Sequence, residues 1–371
     1  MGMSRPPAIL QLLPALDAGG VERGTLEIAE AIHAAGYRAV VASAGGRLVP
    51  ELEALGATHI TLPLATKSPI GIWRNAAALA RIVEGQGVAI LHARSRAPAW
   101  SGWLAARRTG AHFVTTYHGT YGEGFAGKRL YNSVMARGER VIAISQHIAA
   151  HIRARHGDPG AALRVIPRGV DLRRFDPARV DPARVAEFRQ AWEGGPCILL
   201  PARLTRWKGQ AVLIEALAEL PGVTAILAGD AQGREAYVQE LREFAARLGV
   251  AERLRILGHV ADMPAALLAA DLVIHASIEP EAFGRTVIEA QAMGRVVIAS
   301  DLGGPRETIE EGVTGWRTPP GDAAALAARI RAVLAAPAEA RTAMGEAARQ
   351  RVPTMRAMQE ATLALYQELL G

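Results

Sequence analysis

The chain is poor in the residues that build several common kinds of site. Cys197 is its only cysteine. That excludes an intrachain disulfide and a cysteine-rich metal site. Within the apolar run "CILLPA" the thiol reads as a small core side chain. No segment reaches the roughly 18 uninterrupted apolar residues of a membrane span. The opening residues offer only a short apolar run, Ala8 to Leu13, stopped by Pro14. This is not a signal-peptide layout, and a cytoplasmic location is the expectation. Aromatic residues make up 5% of the chain, with no RNP-type aromatic motif and no zinc-finger spacing, so nucleic acid is the weakest of the conceivable partners. Only three of the 42 basic side chains are lysine.

What is present is a long, aliphatic, two-part chain. Its 371 residues exceed one ordinary core, and two domains are the default. The net charge of +6 is unevenly spread: residues 1–180 carry 22 Lys+Arg against 12 Asp+Glu, and residues 181–371 carry 20 against 24. A basic first half suits an anionic partner, such as a phosphorylated substrate or an anionic membrane surface. Solubility in an arginine-rich composition is the plainer reading beside it.

Short aliphatic runs alternate with alanine-rich helical patterns. "AILQLL", "YRAVVAS", "THITLPL", "VAILHA", "HFVTTYH", "RVIAIS" and "LRVIP" form one set. "CILLPA", "VTAILAG", "LRILG", "DLVIHAS" and "RVVIAS" form a second. Continuous apolar strands separated by helices indicate parallel sheets covered on both faces. Between the sets, "PRGVDLRRFDPARVDPARVAEF" carries three prolines and many charges and reads as a hinge. The expected architecture is α/β: two doubly wound, Rossmann-like domains facing across a cleft, spanning 1–180 and 181–353. Past Pro353, "TMRAMQEATLALYQELL" reads as one amphipathic helix. In such sheets ligands sit outside the carboxyl ends of strands, and four post-strand segments carry chemistry.

In "LDAGGVERGTL", Gly19 and Gly20 precede a helix, where backbone N–H groups can approach a phosphate. That turn carries neither the dinucleotide fingerprint nor the P-loop lysine, and alone it is only a turn. In "TTYHGTYGEGF", His118 follows a strand and suits a cleft hydrogen bond or proton transfer; a lone histidine is more often structural. In "PARLTRWKGQAVL", Arg203 and Lys208 lead into a helix. Cations at a positive helix terminus are unfavourable unless an anion lies between them, so the pair points to a diphosphate. In "EPEAFGRTVIEA", Glu281 and Glu289 stand eight positions apart around a helix start near Gly284. At roughly 1.5 Å per residue, Glu289 lies about 7–8 Å along that helix. The layout suits one elongated ligand, with phosphates at the helix terminus and hydroxyls at each carboxylate. A glycosidase pair would have to flank a scissile bond about 5–9.5 Å apart, which residues strung along one loop and helix do not easily do.

At these residues the chain resembles retaining glycosyltransferases of family 4, with the GT-B fold. "EAFGRTVIE" is similar to the family's E-x7-E motif. "RLTRWKG", the Gly19-Gly20 loop, "HG" at His118, "PRGVD" at 167–171 and "DLGGPRE" at 301–307 support it in the family's order. The resemblance implies that the second domain binds a nucleoside diphosphate sugar. Arg203 and Lys208 would hold the diphosphate, Glu289 the ribose, and Glu281 the sugar. Phe283, Gly284, Arg285 and Thr286 would line the donor. Gly19 and Gly20 would approach the phosphates from the first domain, with His118 near the sugar. It further implies a last helix, 354–371, that crosses back to the first domain, a front-face retaining reaction, no cofactor and no catalytic metal; no Asp-x-Asp occurs. Two departures stand out: Arg168 where the family usually has Asn, and Ala202 where Gly is common.

The function this implies is sugar transfer from a nucleoside diphosphate sugar to a glycan or lipid-linked acceptor, in lipopolysaccharide or surface-polysaccharide assembly. The acceptor should meet the basic first domain, through Arg94 and Arg96 in "HARSRAPAWSGW" or through "GKRLYNSVMARGERV", which could touch the inner face of a membrane or be a solvated face. The alternatives are a GT-B-fold nucleotide-sugar epimerase and a nucleotide-sugar binding protein without turnover.

Overall fold

A computed structural model describes residues 6–17, 19–124 and 126–371. The chain divides into two compact units: unit 1 is Met1–Arg168 with Met355–Gly371, and unit 2 is Gly169–Thr354. The division thus falls at residue 168, twelve short of the sequence-based boundary. The reason lies in the segment read as a hinge. Asp176 and Asp181 each precede a proline and cap the turn that follows, accepting from the Ala178 and Ala183 N–H groups at 3.2 and 2.9 Å. Asp-Pro is an N-cap followed by a first-turn residue, so the stretch folds as a 3-10 turn, Pro177–Arg179, and a helix, Pro182–Trp192. Asp176 is tied to Arg349 of unit 2 at 2.8 Å.

Unit 1 holds a seven-stranded sheet: β1 Ala8–Leu12, β2 Arg38–Ser43, β3 Thr58–Thr61, β4 Val88–Ala93, β5 His112–Tyr117, β6 Arg140–Ala143 and β7 Leu163–Val165. Its order is β3-β2-β1-β4-β5-β6-β7, with every pairing parallel. Unit 2 holds six strands: β8 Cys197–Pro201, β9 Thr224–Ala228, β10 Leu254–Gly258, β11 Leu272–His275, β12 Val297–Ser300 and β13 Trp316–Thr318. Their order is β10-β9-β8-β11-β12-β13, again all parallel. Central strands β1 and β8 are buried along their whole length, as a sheet covered on both faces requires.

The last helix, Met355–Leu370, belongs to the core of unit 1. Its Met358, Leu365 and Tyr366 join Ile9, Leu26 and Ile90. The Tyr366 hydroxyl meets His92 Nδ1 at 2.6 Å, and Gln359 Nε2 donates to the Glu27 carbonyl at 2.7 Å. Among the described residues, no helix is long and apolar enough to cross a membrane.

Candidate active site

In an open parallel sheet, ligand-binding loops gather where the strand order reverses. In unit 2 the reversal lies between β8 and β11. The loop after β8 carries Arg203 and a 3-10 turn, Arg206–Lys208. The loop after β11 carries Ser277 and Glu281 and ends at Gly284, the N-cap of the helix Arg285–Ala292. The two loops are stitched together. The Ile278 N–H donates to the Trp207 carbonyl at 2.8 Å. Gly209 has φ 71°, and a β-carbon there would stand 1.9 Å from the Ala276 carbonyl oxygen; only glycine fits so close an approach. The loop after β12 joins them, with the Gly304 N–H donating to the Glu281 carbonyl at 2.7 Å.

This stitching brings Lys208 and Glu281, 73 positions apart, into contact. Lys208 Nζ lies 2.6 Å from Glu281 Oε2, with the lysine side chain 9% exposed. His275, the last residue of β11, lies 2.5 Å from the same oxygen through Nε2. Ser277 Oγ is 3.4 Å from that oxygen and 3.3 Å from His275 Nε2. The other carboxylate oxygen, Oε1, has no hydrogen-bond partner among the described residues. Burial alone would raise the Glu281 carboxyl. The hydrogen bond and electrostatic pull of His275, and then of Lys208, outweigh it and hold the group well below the usual carboxylate range. Glu281 is therefore an ionised, acceptor-only group with one oxygen anchored and one on offer.

The rest of the expected donor set is spread along the same helix start. Phe283 is buried, and Gly284, in the left-handed region, supplies no side-chain cap. At this uncapped helix start, the first-turn N–H group of Val287 donates to the Gly284 carbonyl at 3.0 Å. Arg285 and Thr286 are half-buried there. Glu289 lies one turn further on, with Arg285 Nε 3.7 Å from its Oε1. Arg203 stands apart: it is exposed, and its guanidinium reaches Gln232 in the loop after β9 at 3.5 Å. Among the described residues it makes no hydrogen bond or ion pair with Lys208 or Glu281. Sequence reading overlooked His275. The available signal was a histidine closing an otherwise apolar buried strand, where a polar side chain needs a partner.

Unit 1 presents its residues at its own reversal, between β1 and β4. Gly19 is the N-cap of the helix Gly20–Ala34. The Arg168 guanidinium donates to the Gly20 carbonyl at 2.8 Å and pairs with Glu27 at 3.3 Å. Arg94, expected at an acceptor surface, is instead 2% exposed. It donates to Gln11 Oε1 at 2.8 Å, and burial pushes its guanidinium down to about 10. That makes it a brace of the interior rather than an open contact. Arg96 is half-buried, bonded to Asn132 at 2.9 Å and stacked 4.3 Å over Tyr121.

His118 Nε2 is buried without a hydrogen-bond partner among the described residues. Burial, then the charges of Arg94 and Arg168, holds the imidazole well below its ordinary value. His92, bonded to Tyr366 and Thr116, is lowered by burial and Arg94. Both rings stay unprotonated in the folded chain and take up protons near the ordinary value of 6.5 when unfolded. Stability is therefore complete above that value and falls as pH drops below it, by about 1.4 kcal/mol per histidine per pH unit. Urea unfolding at pH 7.5 and 5.5 should show this loss, and His118→Gln should remove about half of the part due to the two rings.

Two family models cover most of the chain: Glycosyltransferase Family 4 matches residues 18–174, and Glycosyl transferases group 1 matches residues 185–351. A glycosyltransferase from Rickettsia africae ESF-5 is 37% identical, with a TM-score of 0.91, over 98% of this chain and 99% of that one. The chain belongs to glycosyltransferase family 4. Its two parallel-sheet units are the GT-B architecture. Anabaena HepE (Alr3699), solved in complex with UDP-glucose, is similar over 97% of this family-4 chain and 99% of its own, with a TM-score of 0.85 and 28% identity. The D-inositol 3-phosphate glycosyltransferase of Segniliparus rotundus is 31% identical over 266 residues, 66% of this chain and 58% of that protein. The chain thus matches less than two thirds of that curated relative's length.

Proposed function

We propose that this family-4 chain transfers a sugar from a nucleoside diphosphate sugar to a hydroxyl of an acceptor that carries an anionic group. The observation that carries the reading is the Lys208–Glu281–His275 cluster at the strand-order reversal of unit 2, beside an uncapped helix N-terminus. As the bond from the sugar C1 to the diphosphate lengthens, negative charge grows on the leaving phosphate. Lys208 and the helix N–H groups are placed to stabilise it. Oε1 of Glu281 is free to accept from a sugar hydroxyl, and Glu289 suits the ribose. In a front-face path the acceptor oxygen bonds C1 on the side the diphosphate leaves, and its proton passes to the departing phosphate oxygen. The anomeric configuration is then retained, and no metal is needed.

The acceptor class rests on charge. Residues 1–180 hold ten more cations than anions, and a curated relative is named for a polyol phosphate, D-inositol 3-phosphate. Lipid-linked glycans and lipopolysaccharide cores share that anionic chemistry. A place at the inner face of a membrane goes with the same reading: Ile70, Trp73 and Leu130 are 62–65% exposed, near Lys67, Arg74 and Arg129 in sequence.

The test supplies UDP-, GDP- and ADP-sugars with inositol 3-phosphate, phosphatidylinositol or a lipid-linked glycan, the lipids in anionic vesicles. The expected result is a glycosylated product of retained configuration, with salt-sensitive flotation of the protein on the vesicles. Epimerised donor without any acceptor, or binding without turnover across the panel, would contradict transfer.

A further inference from the structure

We propose that His275 is a positioning residue that keeps Glu281 in place while Lys208 is handed over to the donor diphosphate. The inference rests on the donor-site reading above and goes beyond it. One oxygen of Glu281 takes all three of its side-chain contacts in the cluster: Lys208 at 2.6 Å, His275 at 2.5 Å and Ser277 at 3.4 Å. A lysine held by a carboxylate is not free for a phosphate. For Lys208 to serve the diphosphate it must leave Glu281 at least in part. A carboxylate largely screened from water and stripped of its partner is costly, by far more than an exposed one.

His275 removes that cost. Its side chain is 4% exposed, and the Ser300 hydroxyl donates to its carbonyl at 3.3 Å. Its Nδ1 is buried with no partner among the described residues, so the paired proton of the ring is the one Nε2 offers to Glu281. Ser277 closes a triangle with both groups. When Lys208 turns to the incoming phosphates, the Nε2 donor and the Ser277 hydroxyl hold Oε2 where it was, and Oε1 stays aimed outward for the sugar. Strand β11 thus supplies the rigid base, and the mobile four-carbon stem of lysine supplies the movement.

The test is a double-mutant cycle on the whole chain, read by calorimetric titration with UDP, GDP and ADP and by transfer rates. His275→Leu should weaken nucleoside diphosphate binding by roughly ten- to a hundredfold, the range for one hydrogen bond to a charged group. Pulling Lys208 away would then strand Glu281. His275→Asn, too short to reach Oε2, should behave like His275→Leu. His275→Gln, which places an amide donor near the Nε2 position, should restore most of the affinity. In a Glu281→Gln background, with no carboxylate to strand, His275→Leu should change binding less than twofold. An equal loss in both backgrounds would mark His275 as a mere packing residue and overturn the proposal. So would unchanged binding and transfer in both His275→Leu and His275→Asn. If the wild-type chain bound none of the three nucleotides, the donor-site reading itself would fall, and the proposal with it.

Discussion

Lys208→Ala lowers the rate of sugar transfer by roughly 10²- to 10³-fold, the usual cost of deleting one preorganised donor at a developing charge. Three features of the site make the loss large. Lys208 is almost wholly screened from water, so its charge acts at low dielectric. Among the described residues no second cation pairs with Glu281 Oε2 besides Lys208 and the His275 ring, and the Arg203 guanidinium is exposed and bonded to Gln232. Lys208 also keeps its charge over an apolar face of its own loop, with Nζ 4.3 Å from the centre of the Trp207 ring. The loss should be catalytic rather than structural, since Glu281 keeps His275 and Ser277 in the variant. Kinetics alongside thermal unfolding separate the two: kcat/KM collapses while the melting temperature barely moves. Lys208→Arg should not rescue, because the planar guanidinium is larger and differently aimed than the ammonium it replaces.

Arg168→Met destabilises unit 1 by about 3–5 kcal/mol, the cost of removing one member of a buried ion pair. The Arg168 and Glu27 side chains are only 4% and 7% exposed. Removing the guanidinium leaves the Glu27 carboxylate without that partner and the Gly20 carbonyl without that donor. Gly24 belongs to the same arrangement: a β-carbon there would come within 2.1 Å of the guanidinium. Denaturant unfolding should show the loss. Adding Glu27→Gln should recover much of it, because no charge is then left buried. Equal stability of Arg168→Met and wild type would mean that the pair is dispensable.

Much of the fold was legible because most strands are buried and leave apolar runs; twelve of the thirteen strands, including the partly exposed edge strands β3 and β10, appear as such runs. The exception, β13, is only three residues, "WRT", and has no room for a pattern. The Asp-Pro pairs of the supposed hinge were readable as helix caps, but charge and proline content suggested a linker instead. At the site, Lys208 and Glu281 were legible through their places beside glycine-bearing helix starts. Their mutual contact was not, since it depends on how the loops after β8 and β11 cross. Arg203 and Arg94 illustrate the limit. Both follow strands in sequence, yet Arg203 is exposed and Arg94 is buried against Gln11, and only packing decides which. His275 was hidden by its neighbours, in a strand whose other residues speak only of burial. Arg168, read as a departure at a turn, proves to be the partner of a glutamate 141 positions away.

The most direct measurement is thermal unfolding of the wild type and of Lys208→Ala with UDP, GDP and ADP in turn. Ligands that bind the native state raise its melting temperature. At least one nucleotide should raise that of the wild type, and the rise should be lost in the variant. A wild type indifferent to all three, or a shift that survives intact without Lys208, would contradict a diphosphate site at this cluster.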